Sequence, residues 1–348
     1  MIALVASATL AFSSLAAQDT EEFREFEDSL VVLSQVIFAG SCEAEKYEAN
    51  ALFLELLQDA LSLNNSFRYP FDSLQTVSIL TSPDNRVRIF TWMIARDNGT
   101  YEYFGLVQSY SRRDQDYVVY ELTDMSNEIE TPETRVLDHK TWFGAVYYDI
   151  IQTRSGQQRF YTLLGWDGHD PLIRRRIIEV LTLRSNGMPR FGHNLFRYEH
   201  PQQRRILFEY SAMANMTLRY ERQSFHETRD RLFTLRRRSG GGSQPGFFER
   251  LRYALTPGNP DLRPRRDRSN RYVRRSDDMI IFDNLVPLDH TLKGHRQFYV
   301  PEGNIVNGFR FHRGRWRLVE DIDARNAPHR YDRPSRRPTP EIMTPRRN

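Results

Sequence analysis

Between residues 77 and 122 the side chains alternate between apolar and polar with a period of two, which is the pattern of β-strands that lie on a core. Four runs show this alternation, and they read VSILT, RVRIFTWMI, YEYFGLV and DYVVYEL. Turn-forming sequences separate them, namely Ser82-Pro83-Asp84-Asn85, Asp97-Asn98-Gly99 and the stretch from Arg112 to Asp116. Because consecutive strands joined by short turns pair antiparallel, this region predicts a four-stranded meander.

Further strand pairs follow along the chain. WFGAVYYDIIQT and RFYTLLGW flank the turn sequence Arg154-Ser155-Gly156-Gln157 and predict a hairpin. Other candidate strands read RRILFEY, MTLRY, MIIFDNLV and QFYV. No sequence repeat of fixed period is evident, so the pattern does not favour a propeller or a solenoid.

The final hairpin, NGFRFHRGRWRLVEDI, is the most specific prediction. Its tip is Arg313-Gly314. If His312 faces Arg315, then Phe311 faces Trp316 and Phe309 faces Leu318, and these four apolar side chains share one face. Cross-strand pairs of this kind stabilise a sheet by roughly 0.2–1 kcal/mol each.

Two helices are predicted before the strands. Apolar residues recur at helical spacing in two segments: Phe23, Phe26, Leu30, Leu33 and Ile37, then Tyr47, Phe53, Leu54, Leu57 and Leu61. The sequence therefore predicts an α+β fold in which an N-terminal helical pair precedes a large, mostly antiparallel β-sheet body. That body is either a sandwich or a partly closed barrel.

Residues 1–17 read MIALVASATLAFSSLAA and predict a secretory signal peptide cut after Ala16 or Ala17. Acidic sequence begins directly after these residues. The chain is then expected to be exported, either periplasmic or peripheral to the outer envelope. No Lys or Arg precedes the apolar run, which leaves open a start upstream of Met1, and the alternative is a buried N-terminal helix. No later run reaches the roughly 18 apolar residues of a membrane span.

Motifs that carry chemistry are missing from the sequence. It holds no Gly-x-Ser-x-Gly elbow, no His-Glu-x-x-His, no phosphate-binding glycine loop and no dinucleotide fingerprint. We therefore predict no catalytic residue, no cofactor and no metal ion. The single cysteine, Cys42, excludes an internal disulfide and a cysteine metal cluster. We expect it to be a buried helix residue rather than a lipidation site.

Three weaker groupings have a structural and a functional interpretation. His290 and His295 lie near Asp283 and Asp289, and they read as an exposed loop rather than a metal site. The stretch VEDID reads as a solvated strand end rather than a calcium site. Trp92, Trp142, Trp166 and Trp316 each lie in or beside a predicted strand, and core packing is favoured over a ligand platform.

The stretch LLGWDGHDPLIRRRIIEVL gathers Asp167, His169 and Asp170. A metal or acid/base site is one interpretation, but no calcium-loop spacing is present. The favoured interpretation is an Asp-Gly turn followed by a helix IRRRIIEV, with Asp170 as its N-cap and Pro171 at its first position. Leu172, Ile173, Ile177, Val180 and Leu181 would form the apolar face of that helix.

Positive charge is concentrated in two segments. Residues 229–275 hold 14 Arg against four acids, a net charge of +10, and residues 324–348 hold seven Arg against two acids, a net charge of +5. The whole chain carries +4, so the remainder carries −11. Both segments are rich in Gly, Pro or Arg and are expected to be flexible in isolation.

Within the first basic segment, GFFERLRYAL (residues 246–255) has the pattern of a short amphipathic helix. Ten residues are too few for a stable isolated helix, so it would need a surface. The sequence leaves open docking on the acidic body of this chain, docking on a partner or an anionic membrane, and disorder. The residues predicted to bind a partner are Phe247, Phe248, Arg250, Leu251, Arg252 and Leu255.

These patterns predict five parts along the chain. They are a signal peptide (1–17), a helical segment packing on the body (18–66), a β-rich body (67–228 plus 276–323), a basic insertion (229–275) and a basic tail (324–348).

Several runs together resemble a group of exported, β-rich bacterial cell-envelope proteins with no known activity. These runs are SPDNRVRIFTW, FYTLLGWDG, MIIFDNLVP and FYVPEGNIVNGFRFHRGRWRLVEDI. The similarity covers roughly residues 70–323 without the insertion. It implies export and a single β-rich body, and it implies no activity and no functional residues. It also implies that residues 229–275 are inserted into a shared scaffold.

The leading functional hypothesis is a non-enzymatic cell-envelope binding or scaffold protein that engages an acidic partner through the basic insertion and tail. That partner would be another envelope protein or an anionic membrane surface. One alternative is a hydrolase of envelope polymers whose paired carboxylates converge only in the folded chain. The other is nucleic-acid binding through the Arg-rich segments, although no recognised module is present.

Overall fold

The computed structural model describes residues 2–227, 273–320 and 322. Two α-helices come first, α1 (Ile2–Ala39) and α2 (Glu43–Ser62). The described strands are β1 (Ser78–Thr81), β2 (Val87–Ala95), β3 (Tyr101–Ser111), β4 (Asp116–Thr123), β5 (Leu137–Asp138), β6 (Val146–Ser155), β7 (Gln158–Asp167), β8 (Ile173–Leu183), β9 (Pro189–Phe191), β10 (Phe196–Arg197), β11 (Arg205–Ser211), β12 (Leu218–Glu227), β13 (Val273–Pro287), β14 (Tyr299–His312) and β15 (Arg315–Val319). The predicted α+β fold, with a helical pair before a mostly antiparallel sheet body, is confirmed.

The helical pair is joined by a tight connection at Gly40–Cys42. Gly40 N–H donates to the carbonyl of Val36 at 2.7 Å, and the Ser41 N–H and hydroxyl both donate to Glu45 Oε2 at 2.8 Å. The first bond closes the last turn of α1, and the Glu45 carboxylate in the first turn of α2 holds the residue before the N-cap. Cys42 is the N-cap of α2 and is exposed. The expectation of a buried cysteine was therefore wrong, because the residue lies in the turn and not on the apolar stripe.

Strands β1–β4 form the first sheet, in the order β1-β2-β3-β4 with antiparallel pairing throughout. The predicted meander is confirmed. The helices cover one face of this sheet, where the apolar helix stripes meet alternate residues of β2 and β3. The buried members of this helix–sheet core include Phe23, Leu30, Ile37, Phe53, Leu57, Phe90, Trp92, Ile94 and Leu106.

The opposite face of the first sheet packs on a six-stranded sheet of order β5-β9-β8-β7-β6, with β11 paired to β8. The middle core between the two sheets includes Val87, Ile89, Val107, Trp142, Tyr147, Tyr161, Leu163, Ile177 and Leu181. The other face of the six-stranded sheet meets a third sheet in an outer core, which includes Phe160, Leu164, Ile178, Val180, Ile206, Phe208, Phe282, Phe309 and Trp316. The six-stranded sheet is thus covered on both faces.

The segment predicted to be a helix, IRRRIIEV, is instead the strand β8. It pairs antiparallel with β7 on one side and with β9 and β11 on the other. Its side chains alternate between two cores, with Ile177 and Leu181 in the middle core and Ile178 and Val180 in the outer core. A strand buried on both faces reads as an apolar run, which mimics a helical stripe.

The third sheet has the order β10-β15-β14-β13-β12, and its β10–β15 pair is parallel. The predicted register of the final hairpin is confirmed: His312 faces Arg315, Phe311 faces Trp316 and Phe309 faces Leu318. Its tip has positive φ at both Arg313 (50°) and Gly314 (77°). Two positive φ values are what a two-residue hairpin turn matching the strand twist requires.

The chain divides into two units. The first comprises Met1–Glu221 and Asp278–Asp321, and the second Arg222–Asp277 and Ile322–Asn348. The helical pair and the three cores described above belong to the first unit.

Candidate functional site

Asp167, His169 and Asp170 form a turn whose polar atoms have local partners. Asp167 is buried at the end of β7, where it accepts from the Tyr103 hydroxyl (2.9 Å) and the His169 N–H (2.7 Å) and forms an ion pair with Arg175 (3.4 Å). Asp170 accepts from the backbone N–H groups of two following residues at 2.7 and 2.8 Å. The chain reverses between β7 and β8, but Asp167 is the last residue of β7 and the positive φ lies at His169 (49°), so the predicted Asp-Gly turn was wrong in detail. The N–H groups that Asp170 satisfies lead into the strand β8 instead of a helix.

A second buried group of charges lies between the first and the six-stranded sheets. Glu179 of β8 and Arg205 of β11 are fully buried and form an ion pair. Glu179 also accepts from the Tyr147 hydroxyl at 2.6 Å, and that hydroxyl accepts from the Trp142 indole N–H at 2.9 Å. Burial lowers the pKa of the Arg205 guanidinium to about 10, so it stays cationic at neutral pH. Each charge has a partner, which is the arrangement of a structural ion pair.

Asp124 is a half-buried acid with internal partners. Its carboxylate accepts from the backbone N–H groups of Tyr103, Ser126 and Gly144 at 2.9 to 3.2 Å. Burial raises the pKa of this carboxyl, and the three N–H donors oppose that shift because they favour the charged form. The carboxylate therefore organises the backbone around it.

The other sequence candidates lie apart from one another. His290 is 91% exposed in its side chain, and His295 is also exposed, so the predicted exposed loop is confirmed. Three tryptophans, Trp92, Trp142 and Trp316, are buried as predicted, and Trp166 is half-buried. Within the described residues, no three His, Cys, Asp or Glu side chains converge in a way that would hold a metal ion.

The predicted partner-binding helix, residues 246–255, lies outside the described residues, as do Asp321 and Asp323. The predicted roles of Phe247, Phe248, Arg250, Leu251, Arg252 and Leu255 therefore stay predictions.

Two open cavities lie along residues 63–77, the crossover segment, which connects α2 to β1. Phe67 of this segment stacks on Tyr117 of β4, with ring centroids 4.1 Å apart and planes 18° from parallel. One cavity, the Arg88 cavity, has a volume of about 850 Å³, and the other has a volume of about 800 Å³. Both are lined by Phe67, Arg68 and Tyr117. The lining of each contains a single carboxylate, Asp72 in the first and Asp116 in the second. A carboxylate pair for acid–base hydrolysis is therefore not assembled in either cavity.

Arg88 lines the larger cavity and is only 2% exposed. It lies on β2, on the face that the helices cover, in line with Phe90 and Trp92. Its guanidinium donates to the carbonyls of Ser66 (2.8 Å) and Tyr69 (2.6 Å) and to Gln108 Oε1 (2.8 Å). These bonds hold the crossover segment against the sheet.

The rings of three phenylalanines surround this guanidinium. Its Cζ lies 4.9 to 5.4 Å from the ring centroids of Phe67, Phe71 and Phe90. Burial lowers the pKa of Arg88 to about 10, which leaves it charged at neutral pH. Arg88 was not among the residues predicted from the sequence. The available signal was Arg88 within the run RVRIFTWMI, at a position whose alternate neighbours Phe90, Trp92 and Ile94 are all apolar.

The crossover segment is also tied to α1. Glu27, buried in α1, accepts from the Tyr69 hydroxyl at 2.6 Å and from the Ser73 N–H at 2.7 Å. Burial and this hydrogen bond raise the pKa of Tyr69 to about 12. The wall of the Arg88 cavity is thus fixed from both the helical and the sheet side.

No protein-family model matches this chain, and no curated protein or solved structure matches it significantly. Among the described helices, none has the length and apolar character needed to cross a bilayer.

Proposed function

We propose that this chain is a non-enzymatic binding or scaffold protein of the cell envelope, exported and periplasmic or peripheral to the outer envelope. Its Arg-rich segments, residues 229–275 and 324–348, engage an acidic partner. That partner is an anionic membrane surface or another envelope protein.

The observation that carries this proposal is the separation of charge along the chain. Residues 18–66 hold eleven Asp and Glu against Arg24 and Lys46, a net charge of −9. Most of the −11 outside the basic segments therefore belongs to the helical pair, while the segments carry +10 and +5. A run of like charges contributes little to a core and is typical of a segment that contacts an oppositely charged surface.

The internal ion pairs of the described residues support a structural use of the buried charges. Asp167, Glu179 and Asp124 each have hydrogen-bond or ion-pair partners supplied by the fold. Groups used in acid–base catalysis are instead expected in a cavity that substrate can enter.

The experiment compares the full chain with a variant in which residues 229–271 are replaced by a short Gly-Ser linker. Retention on phosphatidylglycerol vesicles and the set of proteins captured from envelope extracts are measured for both. We expect the full chain to bind and the variant to lose most binding. Raising the salt from about 0.01 M to about 0.15 M, which shortens the screening length from about 30 Å to about 8 Å, should weaken the interaction.

Two matched variants separate charge from apolar contact. Arg250→Gln with Arg252→Gln removes charge from the predicted helix, and Phe247→Ser with Phe248→Ser removes its apolar side. Both pairs should weaken binding, and only the arginine pair should reduce the salt dependence. Equal vesicle binding and identical captured partners for the full chain and the linker variant would overturn the proposal.

A further inference from the structure

The Arg88 cavity contains a buried positive charge that the described residues do not neutralise. The three acceptors of the Arg88 guanidinium are neutral oxygens, two backbone carbonyls and the Gln108 amide. Among the described residues, no Asp or Glu oxygen lies within 4.0 Å of it. By contrast Arg205, which is also fully buried, is paired with Glu179. A buried cation without a counter-charge is costly, so this charge favours an anion nearby.

Arg88 also has more N–H donors than hydrogen bonds. A guanidinium presents five N–H groups. Three hydrogen bonds are formed, and Nε is buried without an acceptor. The side chain itself cannot swing away, since its three acceptors and the surrounding rings fix its plane. A negatively charged ligand group in the cavity is therefore attracted by a positive charge that is fixed in the cavity wall, with no ordering cost for the Arg88 side chain.

The cavity walls suit an organic ligand better than a bare inorganic ion. Aromatic rings of Phe67, Tyr69, Phe71 and Tyr117 line the cavity together with Leu74 and Val77. Its volume, about 850 Å³, lies in the range of small-molecule sites, roughly 300–1,000 Å³. The exposed residues Arg68 and Asp72 at the cavity carry opposite charges, so Arg88 supplies the net charge of the lining.

The single positive charge of Arg88 favours ligands with one negative charge over ligands with two. A carboxylate carries one negative charge, which the single positive charge of one guanidinium neutralises. A phosphate monoester carries nearly two at neutral pH, and the second charge would be desolvated without compensation. One cation among aromatic walls therefore selects a monoanion with an apolar or planar body.

We propose that the Arg88 cavity binds a small organic acid, with its carboxylate directed at the Arg88 guanidinium and its apolar or aromatic body against the rings of Phe67 and Tyr117. This ligand site lies in the body and is independent of the partner binding assigned to the Arg-rich segments.

The test is calorimetric titration of the full chain with benzoate, benzamide and inorganic phosphate. Benzoate is expected to bind saturably. Benzamide has the same ring without the charge, and phosphate has charge without the ring, so both should bind more weakly by about tenfold or more, since a charge-assisted hydrogen bond contributes about 1.5–3 kcal/mol.

Three variants locate the site. Arg88→Gln should weaken benzoate binding about 10- to 100-fold. Phe67→Leu should keep the Arg88 hydrogen bonds. It should weaken benzoate binding about two- to tenfold, because one aromatic contact is lost. Arg86→Gln is the control, since Arg86 lies over the Tyr110 ring and does not line the cavity. It should bind benzoate as the original chain does.

Because Arg88 also holds the crossover segment, the fold of Arg88→Gln is checked by circular dichroism. If Arg88→Gln is unfolded, the benzoate affinity of Phe67→Leu tests the site instead. The proposal is overturned if benzoate does not bind the original chain, if benzamide or phosphate binds as tightly as benzoate, or if Phe67→Leu binds benzoate unchanged. None of these outcomes depends on the Arg-rich segments, so the two proposals fail separately.

Discussion

At the scale of single residues, the most demanding positions are the buried charges. Glu179 and Arg205 are each 0% exposed in the side chain, and Tyr147 and Trp142 extend their contact into a hydrogen-bonded chain. Burying such a pair offers little net stabilisation over apolar residues, but leaving one member without the other is costly. Because separating Glu179 from Arg205 would leave a buried charge unpaired, the pair holds β8 and β11 together.

Replacing Arg205 by Met should lower the free energy of unfolding by about 3–5 kcal/mol, because Glu179 would remain buried without its cation. Urea denaturation measures this loss. Arg205→Met combined with Glu179→Leu should lose less than Arg205→Met alone. The control is Arg24→Gln, since the Arg24–Glu21 pair is more than 60% exposed on both sides, and its loss should cost at most about 1 kcal/mol. If Arg205→Met unfolds at the same urea concentration as the original chain, the structural role of the pair is wrong.

At the scale of elements, β8 holds a central position. It is hydrogen-bonded on one side to β7 and on the other to β9 and β11, and its two faces contribute to separate cores. Among the described strands, β1 pairs with β2 alone, at the edge of the first sheet. A strand with partners on both sides opens only when the body unfolds, whereas an edge strand can open locally.

Hydrogen exchange should therefore be slowest for the amides of Ile177–Leu181 and faster for those of Ser78–Thr81. Exchange of the β8 amides should follow the free energy of global unfolding as urea is added, and exchange of the β1 amides should depend on urea less steeply. Nuclear magnetic resonance or mass spectrometry gives both rates. Faster exchange in β8 than in β1 would contradict the sheet order described above.

The strands and the Arg88 cavity show which parts of this fold can be predicted from the sequence. Strands β1–β4 and the final hairpin were predicted because alternating side chains and turn residues occur together there. Strand β8 was missed because both of its faces are buried, so alternation disappears, and because Asp170-Pro171 imitates a helix start. The Arg88 cavity was missed for a different reason. It arises where residues 63–77 return from α2 across the sheet, and no local pattern encodes that path, although the charge at Arg88 was visible.

At the scale of the whole molecule, the described residues form the fold, and we propose that the Arg-rich segments bind the partner. The helical pair, the three sheets and the cores between them use described residues outside 229–271. Strand β12 ends at Glu227, β13 begins at Val273, and the two are neighbours in the third sheet. Because the two strands are neighbours, we expect that a short linker can join them without altering the cores.

The most direct measurement of this division is thermal unfolding of the chain in which a short Gly-Ser linker replaces residues 229–271, recorded beside the full chain. We predict one cooperative transition in both, with stabilities that differ by less than about 1 kcal/mol, or about 2–4 °C for a body of this size. A drop well beyond this shift, or loss of the cooperative transition, would show that the Arg-rich segment helps to form the body and would contradict the account.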